Sequence, residues 1–380
     1  MTTLSPKIAR PTLLALALAL ALPMAVPTAA AQAGHGDSQK SESPRARRDA
    51  ARKEGKRGRA AEEVPAQYPA ATREEPDATP SRKGMKRLQE LVELYEAGDS
   101  AATVAVALEL ASDADANAYE KAFAYQIAGT AAPGAGDEAA AAEYFSKAIA
   151  ANGLSNNDHY TSMLNLAVIQ YGLEQYPEAL QTLDRFLAET KSDKREALDL
   201  RGGVLMGMER YAEAAGIYAA RLAADPDDKV ARMNAVSAYQ QAEQDDKALA
   251  LLADAHARGQ LSDAIEYRAL YVNYLNVERD KDALAVIEEG LAKGIVKEDA
   301  DLARIFMILG QNAYFAEDEA TALKMYERAA PMSDNGEAAL NLAKLHAESG
   351  NKAAAKAAAE LALSKGVKDT AAAKRLAGGK

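Results

Sequence analysis

The chain has no cysteine and no tryptophan, and aromatic residues supply only 6% of its 380 positions. The missing thiol excludes disulfide scaffolds, zinc ribbons, iron–sulfur ligation and cysteine nucleophiles. The AVILMFWYC set nevertheless reaches 48%. A core with so many aliphatic residues and so few rings has to be built from alanine, leucine and other small side chains. That favours close-packed helices over a β-sandwich, which draws on β-branched and aromatic residues. Histidine is also scarce: His35, His159, His256 and His346 stand far apart, none in an H-E-x-x-H pattern or at metal-ligand spacing. No G-x-S-x-G, P-loop or G-x-G-x-x-G occurs. The acid pairs Asp227/Asp228 and Glu288/Glu289 are adjacent in sequence and read as solvated helix faces. The expectation is a non-enzyme with no catalytic residue, no cofactor and no metal site.

Charge is unevenly placed. Residues 1–33 carry +2, residues 34–83 carry +3 from 12 basic and 9 acidic side chains, and the remainder carries −16, which sums to the net −11. An acidic body of this kind argues against nucleic acid as a partner, because phosphate contacts need a basic stripe.

The first 33 residues have the layout of a secretory signal. Lys7 and Arg10 precede an apolar run from Leu13 to Leu22, prolines follow, and Ala31-Gln32-Ala33 is a small-x-small cleavage site. The apolar run is shorter than the roughly 20 residues needed to span a bilayer. Cleavage after Ala33 is expected, with no transmembrane span afterwards and a periplasmic location, or a secreted one as the alternative. Residues 34–83, with Pro44, Pro65, Pro69, Pro76 and Pro80 and few large apolar groups, read as a disordered leader. Nine Lys/Arg between residues 40 and 59 give that leader the means to contact an anionic surface.

From Gly84 onward, apolar residues recur at three- and four-residue spacing with polar breaks every 14–20 residues, which predicts an all-α body. A short line recurs within it: Gln175-Tyr176-Pro177-Glu178-Ala179-Leu180, Glu209-Arg210-Tyr211-Ala212-Glu213-Ala214, Arg279-Asp280-Lys281-Asp282-Ala283-Leu284 and others. Aligned on one small residue, Thr103, Ala141, Ala179, Ala214, Ala248, Ala283, Ala322 and Ala355 stand 38, 38, 35, 34, 35, 39 and 33 residues apart. Four positions on stand Phe145, Leu183, Tyr218, Leu252, Ile287 and Tyr326. Twelve positions before the anchor stand Ala167, Gly202, Val236, Tyr271, Gly310 and Ala343.

A period of about 34 residues with this layout resembles the tetratricopeptide repeat (TPR), in which pairs of helices cross at small residues and stack into a solenoid. The resemblance implies a right-handed superhelical solenoid of about eight TPR-like hairpins. They lie near residues 84–112, 116–152, 158–190, 193–224, 228–259, 262–293, 299–331 and 334–364, with a C-terminal capping helix over 368–377. The family's tryptophan is missing, and Tyr271 and Val236 stand where its first helix carries a small residue.

In TPR proteins the first helices line a concave groove that holds a peptide or a partner helix. Carried over by position, the resemblance implies a partner-binding groove of Leu164, Val168 and Tyr171, then Met206, then Met233, Ser237 and Gln240. Arg268, Val272 and Asn276 follow, then Arg304, Met307, Gln311 and Tyr314. Soft methionines and tyrosines suit an adaptable face. The function implied is a protein–protein interaction scaffold for a cell-envelope complex. The signal, the charged leader and the ending LALSKGVKDTAAAKRL over 361–376 also resemble periplasmic repeat proteins that accompany TonB–ExbB–ExbD systems. Envelope assembly (pilus, lipid transport or cell-wall synthase regulation) is the alternative, and a solenoid enzyme or sugar-binding protein a further one.

Overall fold

The structure is a computed structural model that describes residues 65–378. The signal, its cleavage site, His35 and the basic part of the leader lie outside the described residues. The chain divides into two compact units, one ending at Met208 and one starting at Glu209. Among the described residues both units are helical and contain no strand.

In the first unit, α1 (Arg82–Glu96) pairs with α2 (Ser100–Ser112), α3 (Ala118–Ala131) with α4 (Glu138–Ala151), and α5 (Asn156–Gly172) with α6 (Tyr176–Thr190); α7 (Arg195–Gly207) follows. In the second, α8 (Tyr211–Ala224) packs on α9 (Lys229–Gln241). Then come α10 (Asp245–Ala257), the pair α11 (Ala264–Asn276) and α12 (Asp280–Ala292), and the pair α13 (Ala300–Phe315) and α14 (Glu319–Met332). The pair α15 (Glu337–Glu348) and α16 (Lys352–Ser364) and the short α17 (Thr370–Leu376) complete the unit. This is the all-helical, hairpin-built fold that the repeat implies.

The packing follows the repeat register. Every anchor from Thr103 to Ala355 is buried, as are the larger residues four positions on. In the second unit a single apolar cluster runs from Val236 through Tyr267, Phe306 and Met325 to Ala373, so each hairpin completes its neighbour's core. At that cluster's end α17 buries Ala372 and Ala373, while Lys374 and Arg375 sit in its last turn, where the helix dipole favours cations.

The turns between paired helices are short and need one left-handed residue each. Glycine takes this position at Gly98, Gly136 and Gly350, but glutamate takes it at Glu174, Glu243, Glu278 and Glu317, with φ between 56° and 60°. A Cβ in this region is strained. Glu278→Gly and Glu317→Gly are each expected to raise stability by about 0.5–1 kcal/mol, measured as the urea midpoint. A lowered midpoint would place a favourable glutamate contact at these turns.

The structure corrects the leader's boundary. Residues 65–81 are not a solvated linker; they form a strap, turned at Tyr68–Ala71 where the Ala71 amide donates to the Tyr68 carbonyl, along the loops that join successive hairpins of the first unit. Tyr68 is 6% exposed, set edge-on against Tyr160 (5.3 Å) and Phe186 (5.4 Å), with Lys194 Nζ 4.2 Å above its ring. Arg73 donates to Asn152 Oδ1 at 2.9 Å, Asn156 Oδ1 at 2.6 Å and the Leu154 carbonyl at 3.1 Å. Farther on, Asn117 Nδ2 donates to the Thr79 carbonyl at 3.0 Å, and the Ser81 amide donates to the buried Glu120 at 2.7 Å. Ser81 then caps α1 by accepting from the Gly84 amide. A Cβ at Gly84 would stand 2.0 Å from Glu120 Oε1, so a larger residue there would push the Glu120 carboxylate off the Ser81 amide. Four prolines and several charges make the segment read as linker. One buried tyrosine and one well-held arginine are enough to hold it, and neither alters the average composition.

Candidate functional site

The groove residues expected from the repeat fall into both units. In the first, Leu164, Val168 and Tyr171 lie at i, i+4 and i+7 on α5, and Met206 lies near the end of α7; all four are half-buried. Leu164 packs on the cluster around Tyr160 and Phe186. Tyr171 leans on Tyr176, ring centroids 5.8 Å apart, and its hydroxyl lies 3.3 Å from where a Cβ on Gly203 would be. Burial pushes its phenol pKa up.

In the second unit, α9, α11 and α13 carry the rest. Met233, Val272 and Met307 are half-buried and pack against the continuous core. Ser237 and Asn276 are exposed, and Gln240 donates to Asn273 Oδ1 at 3.4 Å. Arg268 and Arg304 are exposed but not aimed outward at an acid to come. Arg268 lies 3.7 Å from Asp301, and Arg304 pairs with Asp301 and lies 3.7 Å from Asp334. The Arg268–Asp301 and Arg304–Asp334 contacts link neighbouring hairpins, whereas Arg304–Asp301 lies within α13.

What the structure brings together is a cleft on α13 and α15. Gln311, Tyr314 and Phe315 from α13, Tyr326 from α14, and Asn341, Lys344, Leu345 and Glu348 from α15 line a cavity of about 350 Å³. Phe315 is 74% exposed, and Ile308, seven residues earlier on the outer stripe of α13, is exposed as well. The Tyr314 hydroxyl reaches towards Glu348 Oε2 at 3.5 Å. Apolar rings beside a lysine and a glutamate can take a side chain of a partner and hold its backbone or a charge at the rim. Gln311 and Tyr314 belong to the groove set; Phe315 and Ile308 do not. Their signal was available in the spacing: Arg304, Ile308, Gln311 and Phe315 form an i, i+4, i+7, i+11 stripe opposite the buried Phe306 and Leu309.

The acid pairs are not simply solvated. Asp228 pairs with Arg221, both side chains largely buried, and Asp227 accepts from Gln260 at 2.6 Å. Glu288 pairs with Arg328. Glu289 collects Lys293 Nζ at 2.6 Å, the Tyr267 hydroxyl at 2.9 Å and His256 Nε2 at 2.9 Å. These donors, Lys293 first, hold its carboxyl down to about 2. The cluster ties α10, α11 and α12 together and has the character of a structural brace.

His159, 1% exposed on α5, is the other perturbed group. Burial first, then the Arg73 and Arg185 charges, push its imidazolium down to about 4, against a weaker opposing pull from Glu189. The unfolded chain takes up a proton near pH 6.5 and the folded chain does not until about pH 4. The stability this neutral ring contributes is therefore present above pH 6.5 and lost as pH falls towards 4. Between pH 7 and 5 the first unit is expected to lose about 2 kcal/mol from this source. His159→Leu should flatten that part of the urea midpoint against pH; an unchanged slope would assign it elsewhere.

No protein-family model matches the chain, and neither does any curated protein. Solved structures do resemble parts of it. A tetratricopeptide repeat protein from Parabacteroides merdae ATCC 43184 is 17% identical, with a TM-score of 0.41 over 70% of this chain and 99% of the other. The chain's structural neighbours are TPR-repeat proteins. MamA 41-end from Desulfovibrio magneticus RS-1 is 19% identical, TM-score 0.37, over 45% of this chain and 93% of its own. The nearly identical TPR-like repeats of a Podospora anserina kinesin light chain are 15% identical, TM-score 0.36, over 46% and 93%. Among the described residues no group of three or more His, Asp or Glu could hold a metal ion, and no helix is long and apolar enough to cross a membrane.

Proposed function

We propose that this chain is a non-catalytic protein-interaction scaffold whose main docking face is the outer stripe of α13 and its cleft with α15. The observation that carries the reading is Phe315, left 74% exposed beside Tyr314 and the cleft in a protein that buries Phe145, Phe186 and Phe306 completely. Exposed aromatics grouped at a concavity are the usual anchors of protein interfaces.

The finer reading is an adaptor exported by its signal and acting in the periplasm as part of a cell-envelope complex, with TonB-dependent transport as one such process. Its support is the sequence of residues 1–33 and the ending over 361–376; pilus, lipid-transport or cell-wall assembly is the alternative. Fractionation followed by recovery of the chain from cross-linked envelopes tests this. Co-recovery of a defined set of transport or assembly proteins supports the adaptor. A cytosolic chain, or hydrolysis of cell-wall material by the pure protein, would sink it.

A further inference from the structure

The strap of residues 65–73 is held differently from the helices around it. A core segment buries several side chains and pairs its backbone with neighbouring backbone. Here Tyr68 alone is buried, while Pro65, Ala66, Gln67, Pro69, Ala70 and Thr72 are exposed. Much of the backbone is read by side chains of the body. Asn157 works in both directions, accepting from the Gln67 amide through Oδ1 at 2.8 Å and donating through Nδ2 to the Pro65 carbonyl at 3.1 Å. Asn156 likewise accepts from the Arg73 guanidinium and donates to the Arg73 carbonyl at 3.2 Å. The Glu189 carbonyl, near the end of α6, accepts from the Thr72 amide at 2.9 Å. Two anchors then fix the register: the Tyr68 ring between Tyr160, Phe186 and Lys194, and the Arg73 head among Asn152, Leu154 and Asn156.

Backbone clamped by asparagines, one aromatic in a pocket and one arginine at a fixed distance is the way a protein recognises a short peptide. Flanking prolines stiffen such a peptide beforehand and reduce the ordering it loses on docking. We infer that the loop edge of the second to fourth hairpins, formed by Asn152, Asn156, Asn157, Tyr160, Phe186 and Lys194, is a peptide-receptor site. Its partner is a proline-containing segment carrying tyrosine and, five residues on, arginine, with a turn between them like the one closed here by the Ala71 amide donating to the Tyr68 carbonyl at 3.0 Å. In the resting chain residues 65–73 fill this site in cis, and a partner segment of the same pattern displaces them. The exposed residues Glu74, Glu75 and Asp77 form the hinge that lets the strap leave while Ser81 stays on α1. The site shares no residue with the cleft on α13 and α15, so the failure of either leaves the other standing.

A labelled peptide of residues 65–75, PAQYPAATREE, titrated against two full-length chains tests this. In the Tyr68→Ala/Arg73→Ala chain the cis occupant is weakened and the peptide should bind. In the wild-type chain the tethered strap competes at an effective concentration of about 1 mM, so for a peptide of about 10 μM affinity apparent binding should be roughly 100-fold weaker. Adding Asn156→Ala and Asn157→Ala to the first chain should remove binding, as should alanine at the peptide's tyrosine. Absence of binding to the double variant with native circular dichroism overturns the proposal, as does equal binding to both chains. Should the double variant not fold, hydrogen exchange in the wild type decides. Millimolar peptide should speed exchange at the Gln67 and Thr72 amides, which donate into the site; unchanged rates at both overturn it.

Discussion

Arg232→Ala is expected to cost the second unit about 3–5 kcal/mol, the largest single loss among the polar positions. Arg232 and Glu266 are 3% and 0% exposed, and they meet at 2.8 Å between α9 and α11, one repeat apart. The rest of the guanidinium donates to the Pro226 carbonyl at 2.9 Å, and Glu266 Oε2 accepts from the Ser262 amide at 2.9 Å. The pair is thus fully supplied. Removing the arginine leaves a buried carboxylate whose remaining donors are Ser262 and, at 3.7 Å, Lys229. An uncompensated charge in that position is far costlier than the pair is favourable. Replacing both residues, Arg232→Met with Glu266→Leu, should restore most of the loss. Urea unfolding followed by far-UV circular dichroism checks both. A loss under 1 kcal/mol for Arg232→Ala would show that water reaches Glu266.

The second large effect is on binding. Tyr314→Ala with Phe315→Ala should weaken partner capture by at least 100-fold, from two anchors of about 2 kcal/mol each with allowance for non-additivity. Phe315 is 74% exposed and Tyr314 41%, so the cost to stability should stay at about 1 kcal/mol, well below the loss of binding. Substitution at Tyr171, Met233 and Met307 would not separate binding from folding in this way. These side chains are half-buried, Met233 and Met307 pack against the core, and Tyr171 leans on α7. Capture can be measured as the amount of partner retained by equal amounts of folded protein.

Much of the fold can be read in the sequence because a repeat states the same physical requirement again and again. Ala179, Ala248 and Ala283 recur because two helices cross there, and each is fully buried. Tyr271 shows that the requirement bends: a ring replaces the small residue of the first helix and is buried all the same, with its phenol pushed up by desolvation. The site was less legible. Position within the repeat says which helix a residue occupies, yet it does not say whether Met307 turns towards the core or Arg304 finds Asp334 in the next hairpin. Pairs such as Arg232–Glu266 and Gln240–Asn273 lie 34 and 33 residues apart and leave no local signal. The strap was invisible for a similar reason, since Tyr68 and Arg73 meet partners about 80–120 residues away, among them Phe186 and Asn152.

A photo-cross-linking side chain placed at Phe315 in the full-length protein, in cells, tests the scaffold account most directly, with the exposed Glu360 of α16 as the control position. The account predicts one defined cross-linked protein from position 315, absent from position 360 and lost when Tyr314→Ala is added. No cross-link at 315, or equal yields from both positions, would contradict it.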